Sequence, residues 1–243
     1  HGAKITQVLG IPQLSTGDML REAVDSGSEI GQRAKAVMAA GQLVSDDIVI
    51  GIIRERVKNQ DCCNGFILDG FPRTVAQAQA LDSMLSATGE EVKTVLELQV
   101  PDEALIERIG GRWIHKASGR SYHTKFNPPK SYDGMSEATS ANMRDDETGE
   151  ALTQRPDDTK AALPKRLQAY HAETVPVLTH YKARGGCSVA KVDANLSDVR
   201  KTEDIWADCA RSLSLPGYPR TRILLMFGPP ASGKGTHGAK ITQ

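Results

Sequence analysis

No apolar run in this chain approaches the roughly 18 residues that carry a helix across a bilayer, and its first residues show no signal-peptide pattern. A surplus of charge is missing as well: 30 Lys and Arg side chains meet 30 Asp and Glu. No global field therefore calls for nucleic acid or an anionic membrane, and any anion site must be built locally. Paired cysteine spacing is also absent. Cys62, Cys63, Cys187 and Cys209 offer no metal-ligand pattern, and adjacent Cys62 and Cys63 make a poor disulfide framework, so reduced thiols are the expectation. Taken together, these absences lead us to expect a soluble, cytoplasmic protein with neither membrane nor nucleic-acid partners, an organellar compartment being left open. At 243 residues the chain is long enough for one domain with insertions or for two small ones.

The most informative stretch lies near the other end of the chain. Ile223 to Gly228 carry apolar side chains or none, which suits a strand buried on both faces, and a Gly/Pro/Ser loop follows at once. Backbone N–H groups in such a loop can converge on phosphate oxygens at the start of a helix. Gly228 and Gly233 bracket four residues before Lys234, which is the Walker A spacing, and Gly235 then intervenes before the hydroxyl of Thr236. A second signal is Phe66-Ile67-Leu68-Asp69, a buried strand that ends in an acid. From there a carboxylate reaches a magnesium ion or its waters.

A phosphate loop needs a following helix, yet only His237 to Gln243 follow Thr236, about two turns and too few to be stable alone. The same seven residues, His-Gly-Ala-Lys-Ile-Thr-Gln, also form positions 1–7. Joining Thr236 to either copy and continuing at Val8 gives a helix that ends at Gly10, with Pro12 beyond it. The chain therefore reads as circularly permuted inside that helix, residues 1–7 being duplicated at 237–243. The copy that continues the phosphate loop, 237–243, is expected to fill the helix, with 1–7 displaced as a mobile tail; exchange between molecules would then be a route away from a monomer.

Between these ends, helices and strands alternate. Pro12 to Leu14 is extended, and Ser15-Thr16-Gly17-Asp18 starts a helix. Gly27 breaks it before a second helix over Ile30 to Ala40, and Ser45 caps a third, with Ile48, Ile52, Ile53 and Val57 on one face. Val75 to Leu85 and Asp102 to Gly110 read as helices flanking a strand from Thr94 to Val100. From Trp113 to Asp158 the composition turns to Gly, Ser, Pro, Tyr and charge, an inserted lobe rather than core. Thr159 to Tyr181 is helical with a kink or a start near Pro164, a strand covers Val189 to Val192, a helix Val199 to Leu213, and Leu215 to Arg220 is a linker. This order predicts an α/β fold, an open and mostly parallel sheet with ligands at the strands' carboxyl ends. Arg21, Arg73, Arg108, Arg112, Arg155 and Arg166 all fall at element ends, an arrangement suited to bidentate clamps on phosphorylated substrates.

These features resemble the adenylate kinases, within the nucleoside monophosphate kinases. The resemblance rests on Gly228-x-Pro230-x-x-Gly233-Lys234-Gly235-Thr236, on Ser15 to Arg21, on Asp69-Gly70-Phe71-Pro72-Arg73, and on the series Gly119-Arg120, Tyr122-His123, Phe126 to Pro129 and Arg155 to Asp158. It departs from the family pattern at Ala231, where a glycine is usual, and at Pro164. It implies a P-loop type, five-stranded parallel sheet with a discontinuous core (residues 1–14, 45–110 and 159–243), an AMP-binding lobe at 15–44 and a long-type lid at 111–158.

Carried over position by position, it gives Lys234 and the loop residues Gly228, Ser232, Gly233, Gly235 and Thr236 to the donor's phosphates. It gives Thr16, Gly70 and Gln77 to the adenine of AMP, and Arg21 and Arg73 to its phosphate. Arg108, Arg112, Arg155 and Arg166 serve ATP and the transferring group, and Asp69 orients magnesium-bound water. Lys234, Arg73, Arg112, Arg155 and Arg166 are thus the expected catalytic set, with Mg2+ as cofactor and ATP and AMP as substrates. Some relatives hold zinc in the lid through four cysteines. Here His115, Ser118, Asp145 and Thr148 stand in the corresponding places, so a hydrogen-bonded polar cluster is expected in place of structural zinc. Among alternatives, a kinase for another base is disfavoured by Thr16, and a GTP-binding switch by the absence of an Asn-Lys-x-Asp run; a binding scaffold whose activity was lost to permutation predicts no turnover.

Overall fold

The computed structural model describes residues 2–27, 29–39, 44–154, 158, 161–196, 202–213, 222–229 and 232. Helix α1 (Gly2–Leu9) stops at Gly10, whose φ of 66° is a left-handed position that glycine takes without steric cost. Pro12 bars a return to helix, and β1 (Gln13–Ser15) follows. Ser15 caps α2 (Thr16–Asp25), its Oγ accepting from the Asp18 N–H at 3.4 Å. Next, α3 (Glu29–Ala39) turns back so closely on α2 that a Cβ on Gly31 would stand 1.7 Å from the Ala23 carbonyl oxygen. From there α4 (Asp46–Arg56) leads to β2 (Gly65–Asp69), α5 (Val75–Ser86) to β3 (Val92–Gln99), and α6 (Asp102–Gly110) to the short strands β4 (Arg112–Ile114) and β5 (Ser121–His123). Pro164 sits in the first turn of α7 (Leu163–Ala169), where its missing N–H costs nothing, so the helix starts there. A π-helical turn over Tyr170–Thr174 joins α7 to α8 (Val175–Ala183). Beyond α8 come β6 (Ser188–Asp193), α9 (Thr202–Ser212) and β7 (Arg222–Phe227). The linker expected at 215–220 lies outside the described residues.

Five strands form one parallel sheet in the order β1-β2-β7-β3-β6. Both faces are covered, as the continuous apolar runs required. Leu68, Val95, Ile223, Leu225 and Phe227 share one buried cluster with Leu81 and Leu85 of α5 and Val177 and Tyr181 of α8. Their alternate neighbours Ile67, Leu96, Leu98, Leu224 and Met226 join Ile5 of α1, Leu105 and Ile109 of α6, Leu163 of α7 and Ile205 of α9. This is the period-two alternation of a strand read out on two faces.

Two expectations need correcting. On α4 the residues buried are Ile48, Val49, Ile50 and Ile53, while Ile52 and Val57 stay partly exposed. The helix packs against α2, α3 and α5, so its apolar stripe is broader than a single seam. Residues 2–7 are no displaced tail: they belong to α1, and Ile5 is fully buried beside Leu224 and Met226. This copy runs on without a break into Gly10 and β1, so one end of it is already anchored when Ile5 docks. Residues 237–243 lie outside the described residues.

Because every strand is parallel, Ser15, Asp69, Phe227, Gln99 and Asp193 end on one edge of the sheet, with Ser15 level with Asp69 and Gln99 with Asp193. The lobe after α6 has its own small core of Trp113, Tyr122, Met143 and Leu152, closed by bridges from Ile114 to Thr153 and from Arg144 to Ala151.

Candidate functional site

At the β1/β2 end of that edge, the loop after Asp69 is tied to the start of α2. Thr16 is 4% exposed, and its hydroxyl donates to the Gly70 carbonyl at 3.2 Å. Gly70 has a φ of 80°, and a Cβ there would meet the Thr16 Oγ1 at 3.3 Å, so a side chain would be strained at this position and tight against Thr16. Arg73 folds back on the same carbonyl through Nε at 2.9 Å, and its backbone N–H donates to the Gln77 Oε1 at 2.7 Å. The Gln77 amide donates in turn to the Asp46 Oδ1 at 2.7 Å, while Thr74 caps α5 by accepting from the Gln77 N–H. The result is a hydrogen-bonded chain running Thr16, Gly70, Arg73, Gln77, four of the residues that the sequence singles out. Asp69 stands beside it, its Oδ2 accepting from the Gln13 Nε2 at 2.9 Å. The side chain of Arg21 lies outside the description.

In the centre of the sheet, β7 runs into a tight bend. The Ser232 N–H donates to the Pro229 carbonyl at 3.1 Å, and Ser232 is 2% exposed. A Cβ on Gly228 would stand 2.3 Å from the Ser232 Oγ and 3.0 Å from the Leu98 carbonyl oxygen, so a side chain there would have to displace Ser232 and crowd the end of β3. Gly233, Lys234, Gly235, Thr236 and Arg155 lie outside the described residues.

Beside the lobe that follows α6, Arg112 and Arg166 converge on Asp158. Arg112 is bidentate, with Nε 2.7 Å from Oδ2 and Nη2 2.5 Å from Oδ1, and Arg166 adds Nη1 at 3.2 Å. The Asp158 side chain is 1% exposed. Two guanidiniums are thus gathered on one buried carboxylate, and guanidinium is the group whose fork geometry matches phosphate. Arg108 stands apart at the β3/β6 end, buried, with Nη1 and Nη2 both donating to the Ala194 carbonyl at 3.3 Å. Burial pushes its pKa below the usual arginine value, with Glu107 and Asp193 acting against that shift.

Inside the lobe that follows α6, the four expected places do form a hydrogen-bonded cluster. His115 Nδ1 lies 2.7 Å from the Ser118 Oγ, and the Thr148 N–H and Oγ1 donate to the Asp145 Oδ2 at 2.9 and 3.0 Å. The cluster is larger than the sequence indicated. Arg120 binds Asp145 through Nε at 2.7 Å and Nη2 at 2.5 Å, the Tyr122 hydroxyl adds a bond at 3.0 Å, and Glu150 meets His115 Nε2 at 2.7 Å. Arg120 first, then the Thr148 N–H and the Tyr122 hydroxyl, hold the Asp145 carboxyl well below the usual carboxylate range, against the opposing effect of burial.

Sequence reasoning missed Gln13, Asp46 and Asp158 as partners of site residues. Asp158 sat inside a quoted motif and so carried a signal; Gln13 and Asp46 carried none, because their partners lie 56 and 31 residues away. A protein-family model described as adenylate kinase matches residues 1–186.

Proposed function

The chain belongs to the adenylate kinase family of phosphotransferases, and we propose that its transfer of a phosphoryl group from ATP to AMP, giving two ADP, runs across the carboxyl edge of the sheet between two arginine groups. The observation that carries this reading is the hydrogen-bonded chain of Thr16, Gly70, Arg73 and Gln77 at one end of that edge, with Arg112 and Arg166 gathered on Asp158 toward the lid. In it, Thr16, Gly70 and Gln77 receive the adenine of AMP, and Arg73 and Arg21 its phosphate. Lys234 and the N–H groups of the loop through Gly228, Ser232, Gly233, Gly235 and Thr236 hold the donor's phosphates. Arg108, Arg112, Arg155 and Arg166 serve ATP and the group in flight.

An AMP phosphate oxygen is already anionic, so no general base is needed; the residues align two polyanions and oppose the charge on a loose transition state. Adenylate kinases generally work with Mg2+, a hard cation suited to oxygen donors. Asp69, at the strand end with one oxygen held by Gln13, fits the task of orienting the ion's waters, and the bound ion supplies charge neutralisation between phosphates. The separate apolar core of the lid supports treating 111–158 as a unit that closes to exclude water, with 15–44 as the AMP lobe and the remainder as core.

Lys234→Ala is the direct test. Turnover of ATP plus AMP should fall by about a hundredfold or more with the far-UV circular dichroism unchanged. Near-normal turnover in the folded variant would overturn the assignment of the phosphate loop. A folded parent chain with no turnover would favour the binding scaffold instead.

Circular permutation is part of this proposal. It is supported by β7, the last of the described strands yet between β2 and β3, and by α1, whose Gly2 lies beside the Gln13 side chain that reaches Asp69. Joined through the shared heptapeptide, β7, its loop, α1 and β1 make one crossover unit between parallel strands. The chain is then a monomer that can exchange terminal segments. Since Ile5 is buried, removing residues 1–7 should weaken ATP binding and lower the melting temperature more than removing 237–243. A silent first truncation would show that the second copy holds the position.

A further inference from the structure

The helix that carries Arg166 contains a turn that neither the fold nor the reaction has yet required. Between α7 and α8, residues Tyr170–Thr174 are π-helical, the Val175 N–H reaching back to the Tyr170 carbonyl. Pro176 explains the widening: it has no N–H to give, and its ring would crowd the Ala172 carbonyl of a regular α-helix. Such single wide turns gather at functional sites, because the extra residue re-aims a side chain. Here it aims Thr174, whose Oγ1 donates to the Arg73 carbonyl oxygen at 2.9 Å, across 101 residues of sequence. The turn itself is held in place, with His171 Nε2 2.9 Å from the Asp102 Oδ2 at the start of α6.

Arg73 sits in an irregular stretch between β2 and α5. Gln77 accepts from its N–H, Thr174 donates to its carbonyl, and Gly70 accepts from its Nε. The backbone of this arginine is thus set from one side by α5 and from the other by the helix that bears Arg166 eight residues earlier, roughly 12 Å along the axis.

We propose that Thr174 is a positioning residue for the reaction: its hydroxyl fixes the main chain of Arg73 relative to the Arg166 helix, and so sets the acceptor phosphate against the group being transferred. The inference rests on the assignment of Arg73 to the AMP phosphate. It accounts for the wide turn and the long-range bond together, and it predicts an effect specific to one substrate.

Thr174→Val keeps the shape and removes the donor, and Thr174→Ser keeps the donor. In the full chain, Thr174→Val should raise KM for AMP and lower kcat, each by about three- to tenfold, the range expected for one lost hydrogen bond that aligns a charged group. KM for ATP should stay within about twofold, and Thr174→Ser should restore AMP kinetics to within about twofold. Unchanged AMP kinetics in Thr174→Val would overturn the inference, as would equal changes for both substrates or a serine variant no better than valine. Arg73→Ala separates the two levels of the argument. If it acts on AMP while Thr174→Val is silent, only the positioning role fails; if it acts on ATP alone, the acceptor assignment fails and the inference with it.

Discussion

Ile67, Leu68, Leu96, Leu98 and Leu225 are fully buried in the sheet, on two faces each covered by helices. Among the described residues, the proposed lid has a small apolar cluster of Trp113, Tyr122, Met143 and Leu152, with Tyr132 and Ala138 against it, and beside it a polar interior of His115, Arg120 and Asp145 with the hydroxyls of Ser118, Tyr122 and Thr148. The sheet is therefore held by apolar area, which is non-directional and is not weakened by charge screening. In the lid, directed bonds to a single carboxylate do that work. A buried charge with every partner in place specifies one geometry, and it becomes costly when one partner is removed. A lobe with an interior of its own keeps its shape as a body, which suits the proposed role of a part that opens and closes.

The sharpest way to break that contrast is to damage each region once. Asp145→Asn leaves Arg120 without its buried counter-charge and should cost about 3–5 kcal/mol, confined to the lid. Leu96→Ala empties a fully buried position in β3 and should cost about 2–5 kcal/mol, shared by the whole molecule. Two probes separate them: Trp113 fluorescence in a Trp206→Phe background for the lid, and far-UV circular dichroism for the sheet. Asp145→Asn should shift the first transition alone, Leu96→Ala both. Acid should mimic the lid mutation. The folded pKa of Asp145 is depressed, so its contribution is present above the unfolded value near ~3.9 and is lost as pH falls through the folded value. The Trp113 signal of the parent should leave with acid ahead of the dichroism, and Asp145→Asn should remove that early phase. Coincident transitions in every case would mean that lid and sheet melt as one unit.

The same division marks what the sequence could reveal. Strands β2 and β7 were legible because each is an apolar run bounded by Gly or Asp, β3 because its mixed run stops at Pro101, and α1 and α2 because Gly10 and Ser15 punctuate their ends. Local signals have local causes, so composition and spacing expose them. The group of Thr16, Gly70, Arg73 and Gln77 was legible through family resemblance, because its members lie in or close to short motifs. Long-range partners were not. Gln13 on Asp69, Asp46 on Gln77, and Thr174 on Arg73 join segments whose meeting depends on how helices pack, and no spacing encodes that. The π-helical turn escaped for a related reason: Pro176 indicates a disturbance in a helix but not which way the extra residue will face. The first heptapeptide was misjudged because continuity with the phosphate loop outweighed continuity with β1, and the burial of Ile5 could not be weighed from sequence.

Within the lid, the contrast can be sharpened with a much smaller change. Arg120 touches two carboxylates: Asp145, whose side chain is 0% exposed, and Glu147, 47% exposed, at 2.6 Å from Nη1. If the lid is held by its buried carboxylate, the outer one should matter little. The Coulomb gain of Glu147 is set largely by water, and fixing its long side chain costs entropy, so Glu147→Gln should move the Trp113 transition by less than about 1 kcal/mol. Its salt response should differ in kind as well. Screening shortens the reach of exposed charges to about 3 Å at 1 M, so the Glu147→Gln difference should vanish there, whereas the Asp145→Asn difference should persist because solvent ions do not enter between Arg120 and Asp145. The readout is the Trp113 melting curve of both variants at low and high salt. A Glu147→Gln effect as large and as salt-resistant as that of Asp145→Asn would mean that the charge network at the rim, rather than the buried carboxylate, holds the lid together.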